Sequence, residues 1–472
     1  MQLGIKVGDR GLFRLSPVPW DGGSQRFALL EGTRSAFQVS KPVHEALTGP
    51  ARLGAARLEE QVSSEIQRLR VLGFWPDAPG VWELSEKRFS LSLHLIHGCN
   101  LACPYCNVQQ GTYGEPESLM SLETALAGLE FLREQAGDRS MRLVFYGGEP
   151  LLNWPVMRRT VERVSSELPS CELEVVTNGT LLNPERAAFL AKHHVFTVIS
   201  MDGPREVHDQ NRPMKTGDGS YDSARQGLSC LQDAGAGFHI RATWVPGTAE
   251  YDRVLSHLAG LAGDAHKVSV ALEFERAGSE GAEAWNRVLC ERFQAARAGA
   301  DGPPPDLNPV LDQVLRADQA PVLRCEAGDA GMSVTPDGRL YPCQVTASMK
   351  QYGLGTIRKG LDAEGKRNQA AFLGIHSEAC DACWAQGLCA GPCPLSVPIP
   401  SDKALCRTNK LQVHQALEWA AGTPSLELAA PFAGDARQRQ DAERGAALRD
   451  LLWKQNRHIR PLALWPQPEQ AR

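Results

Sequence analysis

The chain has 472 residues, and its 50 Lys and Arg stand against 55 Asp and Glu, a formal net charge of −5. Bulk charge therefore gives no footing for nucleic acid. With 42% hydrophobic and 22% charged residues the composition is that of an ordinary globular protein, which excludes disorder as the dominant state, and the length predicts two to four domains. No apolar run approaches the roughly 18 residues of a membrane span, and Lys6, Asp9, Arg10 and Arg14 interrupt the first stretch. The expectation is a cytoplasmic chain with neither membrane nor nucleic-acid partner.

Residues 1–88 read as a small unit: short strands over Phe13–Trp20, Arg26–Glu31 and Ser35–Ser40, then helices over Pro42–Leu47 and Leu58–Leu72. From Ser90 short apolar strands alternate with amphipathic helices, the pattern of parallel βα units. The strands fall at Leu91–Ile96, Leu143–Tyr146, Leu173–Thr177, Phe196–Ser200, Phe238–Val245 and Val268–Phe274, with helices such as Ser121–Glu134, Trp154–Leu168, Pro184–Lys192 and Tyr251–Leu261 between them. Six units are too few for a closed eight-stranded barrel, so residues 89–300 predict a partial (β/α)6 TIM-type barrel with an open side. The polar motifs sit where such strands end: Cys99, Gly147-Gly148-Glu149-Pro150, Thr177-Asn178-Gly179 and Ser200-Met201-Asp202-Gly203 share one face. Gly302-Pro303-Pro304-Pro305 marks a linker over 301–322. Residues 323–410 are rich in cysteine and turns but poor in periodicity, and 411–472 read as a tail with helices near Leu411–Ala420 and Ala436–Lys454.

Thirteen cysteines, an odd number, in a chain without an export signal point to metal or redox chemistry rather than a disulfide framework. Ten of them cluster: Cys99, Cys103 and Cys106; Cys325 and Cys343; and Cys380, Cys383, Cys389, Cys393 and Cys406. Cys171, Cys230 and Cys290 stand alone and read as small buried hydrophobes. Three thiolates with three and then two intervening residues can hold three irons of a cubane and leave the fourth open to a ligand. Zinc is the rival, but a structural zinc site is normally closed by four ligands.

With Cys99-Asn-Leu-Ala-Cys103-Pro-Tyr-Cys106 and the three strand-end motifs in this order, residues 90 to about 300 resemble a radical S-adenosylmethionine (SAM) domain. The resemblance implies a [4Fe–4S] cluster on Cys99, Cys103 and Cys106. SAM would chelate the open iron, with its amino group received by Gly147, Gly148 and Glu149 and its carboxylate and ribose lined by Thr177, Asn178 and Ser200. Tyr105 is expected to pack near the cofactor, and Asp202 and Arg212 to fix the loop.

Cys325, Gly338, Cys343, Cys380-x2-Cys383-x5-Cys389-x3-Cys393 and Cys406 follow the seven-cysteine pattern of SPASM domains. That resemblance implies two auxiliary [4Fe–4S] clusters, making three in all. Cys325, Cys343 and Cys393 would serve the first; Cys380, Cys383, Cys389 and Cys406 would serve the second. No cysteine stands in 317–323, so the first auxiliary cluster would have an open iron or a ligand such as Asp318. More loosely, residues 1–88 resemble a RiPP recognition element, a winged-helix-like domain that binds a leader peptide by adding a strand to its sheet edge.

Together these resemblances imply a maturase that cleaves SAM to a 5′-deoxyadenosyl radical, abstracts hydrogen from a ribosomally made precursor peptide and installs a thioether or carbon–carbon crosslink. A flavodoxin or ferredoxin would supply electrons. The alternatives are a peptide splicease or decarboxylating maturase, an anaerobic sulfatase-maturing enzyme, and a non-catalytic iron–sulfur carrier. Sulfatase-maturing relatives typically carry an Asp after the second SPASM cysteine, where this chain has Gln344. No catalytic base can be named: His94, His97, His193, His194 and His208 read as core or surface histidines.

Overall fold

The computed structural model describes residues 4–6, 12–18, 25–30, 36–48, 61–62, 64–69, 88–299, 307–315, 327–347, 349–373, 383–389, 402–423 and 459–462. Its chain divides into two compact units, one made of Met1–Glu83, Asn286–Arg324 and His376–Arg472, the other of Leu84–Trp285 and Cys325–Ile375. The stretch expected as one cysteine-rich domain, 323–410, thus contributes to both.

The first unit contains an antiparallel meander of β1 (Gly4–Lys6), β2 (Leu12–Pro17), β3 (Phe27–Leu30) and β4 (Ala36–Val39), followed by the helix Lys41–Thr48. Helix also covers 61–62 and 64–69. Val18, Phe27, Leu29 and Ala36 share a core with Val310, Leu311, Val314 and Leu315 of the helix Asn308–Leu315 and with Val413, Leu417 and Ala420 of the helix Asp402–Gly422. Residues 301–322 therefore do not act only as a linker. Asn308-Pro309 opens a helix in the usual way, with Pro in its first turn, and the apolar residues at 310, 311, 314 and 315 form one stripe. The run of prolines just before it hid that signal. Gly302–Pro305 and 436–454 lie outside the described residues.

The second unit is built on β5 (Arg88–His97), β6 (Ser118–Leu119), β7 (Ser140–Gly147), β8 (Glu172–Thr177), β9 (Phe196–Ser200), β10 (Phe238–Trp244), β11 (Val268–Leu272), β12 (Gly331–Val334), β13 (Arg339–Tyr341), β14 (Gly355–Thr356) and β15 (Gly360–Leu361). Six strands run parallel in the order β11-β10-β9-β8-β7-β5, an open sheet of the expected βα kind. The last of them ends earlier than expected, because Phe274 opens the helix Phe274–Ala298 instead of closing the strand. A seventh parallel strand, β12, comes from the cysteine-rich segment and pairs with β5, Val334 opposite Leu93; β13 to β15 continue antiparallel from it. The last strand of the chain, β16 (Ile459–Pro461), pairs antiparallel with β4 in the first unit.

Local chemistry sets the helix starts on the barrel. Ser121 caps the helix Leu122–Ala136 by accepting from the Thr124 N–H, and Asn183 caps Pro184–Lys192 by accepting from Arg186, with Pro184 at the first helical position. Asn153, almost fully buried, donates from Nδ2 to the carbonyls of Leu95 and Met120, both at 2.9 Å, and so ties the end of β5 to β6. Among the described residues no helix is long and apolar enough to cross a membrane. Replacing Asn153 with Leu strands the buried Met120 carbonyl, so Asn153→Leu should lower unfolding stability by about 1–3 kcal/mol. Urea midpoints measured by near-UV dichroism check this; an unchanged midpoint would contradict it.

Candidate active site

The C-terminal ends of the parallel strands enclose a cavity of about 400 Å³, within the usual range for small-molecule sites. Cys99, Cys103 and Cys106 line one wall. Gly147, Gly148, Thr177, Asn178 and Ser200 line the strand ends beside them, and Tyr146, Arg212, Arg241, Thr243 and Glu273 are among the other lining residues.

The cysteine loop follows β5 and is pinned along its length. Ala102 N–H donates to Pro213 O at 2.8 Å, Lys215 N–H donates to Asn100 O at 3.0 Å, and Leu101 bridges Met214. Tyr105 donates its hydroxyl to Asp202 Oδ2 at 2.5 Å and accepts from Arg212 Nη1. Fully buried Asp202 also accepts from the Thr243 N–H at 3.0 Å and lies 3.6 Å from Arg212. Tyr105, Asp202 and Arg212 therefore hold the loop against the ends of β9 and β10, the role expected of Asp202 and Arg212, whereas Tyr105 was expected to pack near the cofactor. Burial pushes the Asp202 carboxyl upward, while Arg212, the Thr243 amide and Tyr105 pull it back.

Gly147 and Gly148 are required by the chain itself. A Cβ on Gly148 would lie 2.0 Å from Gly98 O, and one on Gly147, at φ 132°, would lie 2.4 Å from Ile96 O. Gly111 closes the same knot, where a Cβ would meet Gly148 Cα at 2.6 Å and Cys99 Cβ at 2.9 Å. Glu149 is fully buried, and its carboxylate accepts from Leu151 N–H at 3.0 Å, Thr177 Oγ1 at 2.7 Å and Asn178 N–H at 2.7 Å. It joins β7 to β8. The cavity wall at this motif is made by Gly147 and Gly148.

Asn178 reaches the cysteines. Its Nδ2 donates to Asn100 Oδ1 at 2.9 Å and lies 3.8 Å from Cys99 Sγ, while its Oδ1 accepts from Thr180 N–H and Oγ1 at 3.0 and 2.7 Å. Leu101 N–H also points to Cys99 Sγ at 3.4 Å. Burial, with Glu149 adding, pushes the Cys99 thiol up to about 12, and burial likewise raises Cys103. Thiols so disfavoured as free thiolates need a cation to ionise. Among the described residues no three His, Cys, Asp or Glu converge on a single-ion site. Three thiols facing a shared cavity suit a body larger than one ion, which is the donor set an iron–sulfur cubane asks for.

Behind the loop lies a feature that sequence reading missed. Fully buried His94 meets His97, Nδ1 to Nε2, at 3.3 Å; Tyr113 stacks on His97 at 4.3 Å between centroids and donates to Gly147 O at 3.2 Å. Burial lowers His94 far below the usual imidazole range and His97 to about 4, so both are neutral packing groups, as expected. Tyr113 packs with Tyr341 and Ala347, and burial raises the hydroxyls of Tyr113 and Tyr146 above the usual phenol range. His208 is neutral too, lowered to about 3 by burial and by Arg212; it accepts from the Asp202 N–H at 3.3 Å and meets Ser220 Oγ at 3.0 Å. Arg241, Thr243 and Glu273 are among the other lining residues that sequence reading missed. Their only local signal was polar residues breaking otherwise apolar strand ends.

Of the auxiliary set, Cys383 and Cys389 pack on the core of the first unit, and Cys406 lies on the helix Asp402–Gly422 of that unit. Cys343 follows β13, its N–H donating to Thr346 Oγ1 at 3.1 Å. Cys325, Cys380, Cys393 and Asp318 lie outside the described residues. The lone Cys171 and Cys230 are buried, and Cys290 is partly so.

Residues 93–253 match the family model of the Radical SAM superfamily. These residues form a radical SAM domain. Over 359 residues it is 22% identical to a serine-type anaerobic sulfatase-maturating enzyme of Klebsiella aerogenes, covering 68% of this chain and 84% of that protein. Over 164 residues it is 28% identical to the radical SAM cyclopropyl synthase TigE of Paramaledivibacter caminithermalis, of which it spans only 33%. The solved structure of native anSMEcpe with bound AdoMet superposes with a TM-score of 0.57 at 18% identity, over 71% of this chain and 97% of that one, a likeness of fold. Another structure of that protein, with AdoMet and the Cp18Cys peptide bound, gives 0.55.

Two outcomes follow for the radical SAM domain. Asn178→Leu removes a donor beside Cys99 sulfur and should move the cluster's midpoint potential to more negative values, on the order of tens of mV, in an EPR-monitored titration. His208 has a folded pKa depressed from 6.5 to about 3, so its contribution to stability is complete above about 6.5 and is lost as pH falls toward 3. His208→Gln should therefore flatten the decline in urea midpoint between pH 7.5 and pH 4.5; an equally steep decline would refute the assignment.

Proposed function

We propose that this radical SAM enzyme oxidises a side chain within a polypeptide substrate, and that formylglycine-type oxidation of a Ser or Cys, as in the sulfatase-maturating relatives, is the better-supported product. The carrying observation is the cavity that has Cys99, Cys103 and Cys106 on one wall and Arg241, Thr243 and Glu273 among its other lining residues. When bound, the cluster and SAM would supply reductive C–S cleavage and abstraction of a hydrogen atom. Gly147, Gly148, Thr177, Asn178 and Ser200 would line SAM, and Tyr105, Asp202 and Arg212 keep the cysteine loop in register. Glu273, the residue after β11, lines the cavity and would take up a proton released from substrate. The two SPASM-type clusters, on Cys325, Cys343 and Cys393 and on Cys380, Cys383, Cys389 and Cys406, would accept the remaining electron.

Crosslinking of a ribosomally made precursor peptide is the second reading. It is favoured by the antiparallel sheet of the first unit, a fitting platform for an extended peptide. Gln344, in place of the Asp of sulfatase-maturing relatives, points the same way.

Reconstituted protein should be incubated with SAM, dithionite and either a sulfatase-derived peptide bearing Ser or Cys or a peptide encoded beside the gene. A Ser converted to formylglycine loses two hydrogens and reacts with a hydrazide probe; a crosslinked peptide loses two hydrogens and stays hydrazide-silent. Cys103→Ala should abolish deoxyadenosine formation. Deoxyadenosine formed at full rate with every peptide unchanged in mass would overturn the polypeptide reading.

A further inference from the structure

The inner face of the parallel sheet leaves one positive charge unmatched. Along β10 the alternation sends Phe238, Ile240, Ala242 and Trp244 into the core and turns His239, Arg241 and Thr243 to the other side. Arg241 stands opposite Ser200 of β9 and Ser269 of β11, so both flanking positions carry hydroxyls rather than carboxylates. It is exposed and lines the cavity, and among the described residues its guanidinium has neither a hydrogen bond nor an ion pair.

The charges around it are already engaged. Arg212, the other arginine in the lining, is held by Tyr105 and Asp202. Glu174 of β8 pairs with Arg142 of β7, and His239 meets Ser269 Oγ at 2.9 Å. Glu273 lies four residues beyond Ser269, about 13 Å farther along the sheet at the ordinary strand rise, which leaves the Arg241 head to solvent. Substrate entering a cavity of about 400 Å³ displaces that solvent. A neutral group arriving at Arg241 would strand its N–H donors, whereas a carboxylate meets them in the planar fork geometry that guanidinium offers. The penalty for an unpaired charged donor is what makes such a position selective.

We propose that Arg241 is a specificity-determining residue that receives a carboxylate of the substrate polypeptide, so that peptides with an acidic group near the oxidised side chain are favoured. This rests on the reading of the substrate as a polypeptide. An Asp or Glu side chain and a chain end offer the same carboxylate chemistry, and blocked chain ends tell them apart.

The probes are short fluorescent peptides, acetylated and amidated, each with a single Ser and a Glu moved through successive positions on either side of it, together with twins that carry Gln in place of Glu. A further peptide is neutral apart from a free C-terminal carboxylate. Titrated into SAM-loaded holoprotein and read by anisotropy, the acidic peptide should bind about tenfold or more tightly than its neutral twin at the favoured position. The ratio should fall to about one in Arg241→Gln and invert toward a Lys-bearing peptide in Arg241→Glu, a reversal that a merely structural role would not produce. Equal binding of acidic and neutral twins at every position and at the chain end, or an acidic preference that persists in Arg241→Gln, would overturn the proposal. So would weakened SAM binding in Arg241→Gln by equilibrium dialysis with the peptide ratio unmoved, since that gives the arginine to the SAM carboxylate. Peptide mass is followed in parallel. An acidic preference that depends on Arg241 while no peptide changes mass keeps the carboxylate contact and removes the oxidation reading; twins bound and oxidised alike do the reverse.

Discussion

The cavity depends on how closely two strand-end loops approach. Gly98 after β5 and Gly148 after β7 come together so tightly that a single methyl group at 148 would overlap a carbonyl oxygen, and Gly111 fills the remaining side against Cys99. Steric exclusion of this kind is unforgiving, because the obstacle is backbone on both sides and cannot rotate away. It fixes where Cys99 leaves the sheet, and with it where the first sulfur can face the cavity.

Around that knot the polar network distributes rigidity rather than reactivity. Glu149 ties β7 to β8 through three donors, Asp202 ties β9 and β10 to the cysteine loop through Tyr105 and Thr243, and neutral His208 steadies Asp202 from behind. Each buried carboxylate is matched to donors, which makes its burial tolerable and its orientation unique. Glu149 and Asp202, conspicuous as motif residues, are thus devoted to shape, while the plainer Arg241, Thr243 and Glu273 line the cavity beside the cysteines.

This division explains what could be read from the residues alone. The six parallel strands, the placement of Cys99, Cys103 and Cys106, and the helix Pro184–Lys192 follow from local periodicity and caps, so they were legible. The pairing of Glu149 with Thr177 and Asn178 was not, since they lie in the next βα unit, and neither were the Ile96 and Gly98 carbonyls that make Gly147 and Gly148 necessary. Strands β12 and β16 escaped for a related reason. Four and three residues long, they acquire meaning only through partners far off in the chain, Leu93 for Val334 and Val39 for Ile459. The helix Asn308–Leu315 was masked by the prolines before it, although its stripe of Val310, Leu311, Val314 and Leu315 is as regular as any in the barrel.

The pairing of β12 with β5 bears on how the cysteine-rich segment works. Strand β5 delivers Cys99 at its C-terminal end, and β12, in parallel register beside it, leads through β13 to Cys343. The stacking of Tyr113 on His97, and its packing with Tyr341, join the two cysteine-bearing loops through rings rather than mobile side chains. Arg339 adds an ion pair to Glu115 at 2.6 Å. In the second unit a shared sheet and an aromatic stack fix the loops of Cys99 and Cys343 at once. A change at Tyr113 would therefore be felt at both loops even though Tyr113 has no donor atom suited to iron–sulfur ligation.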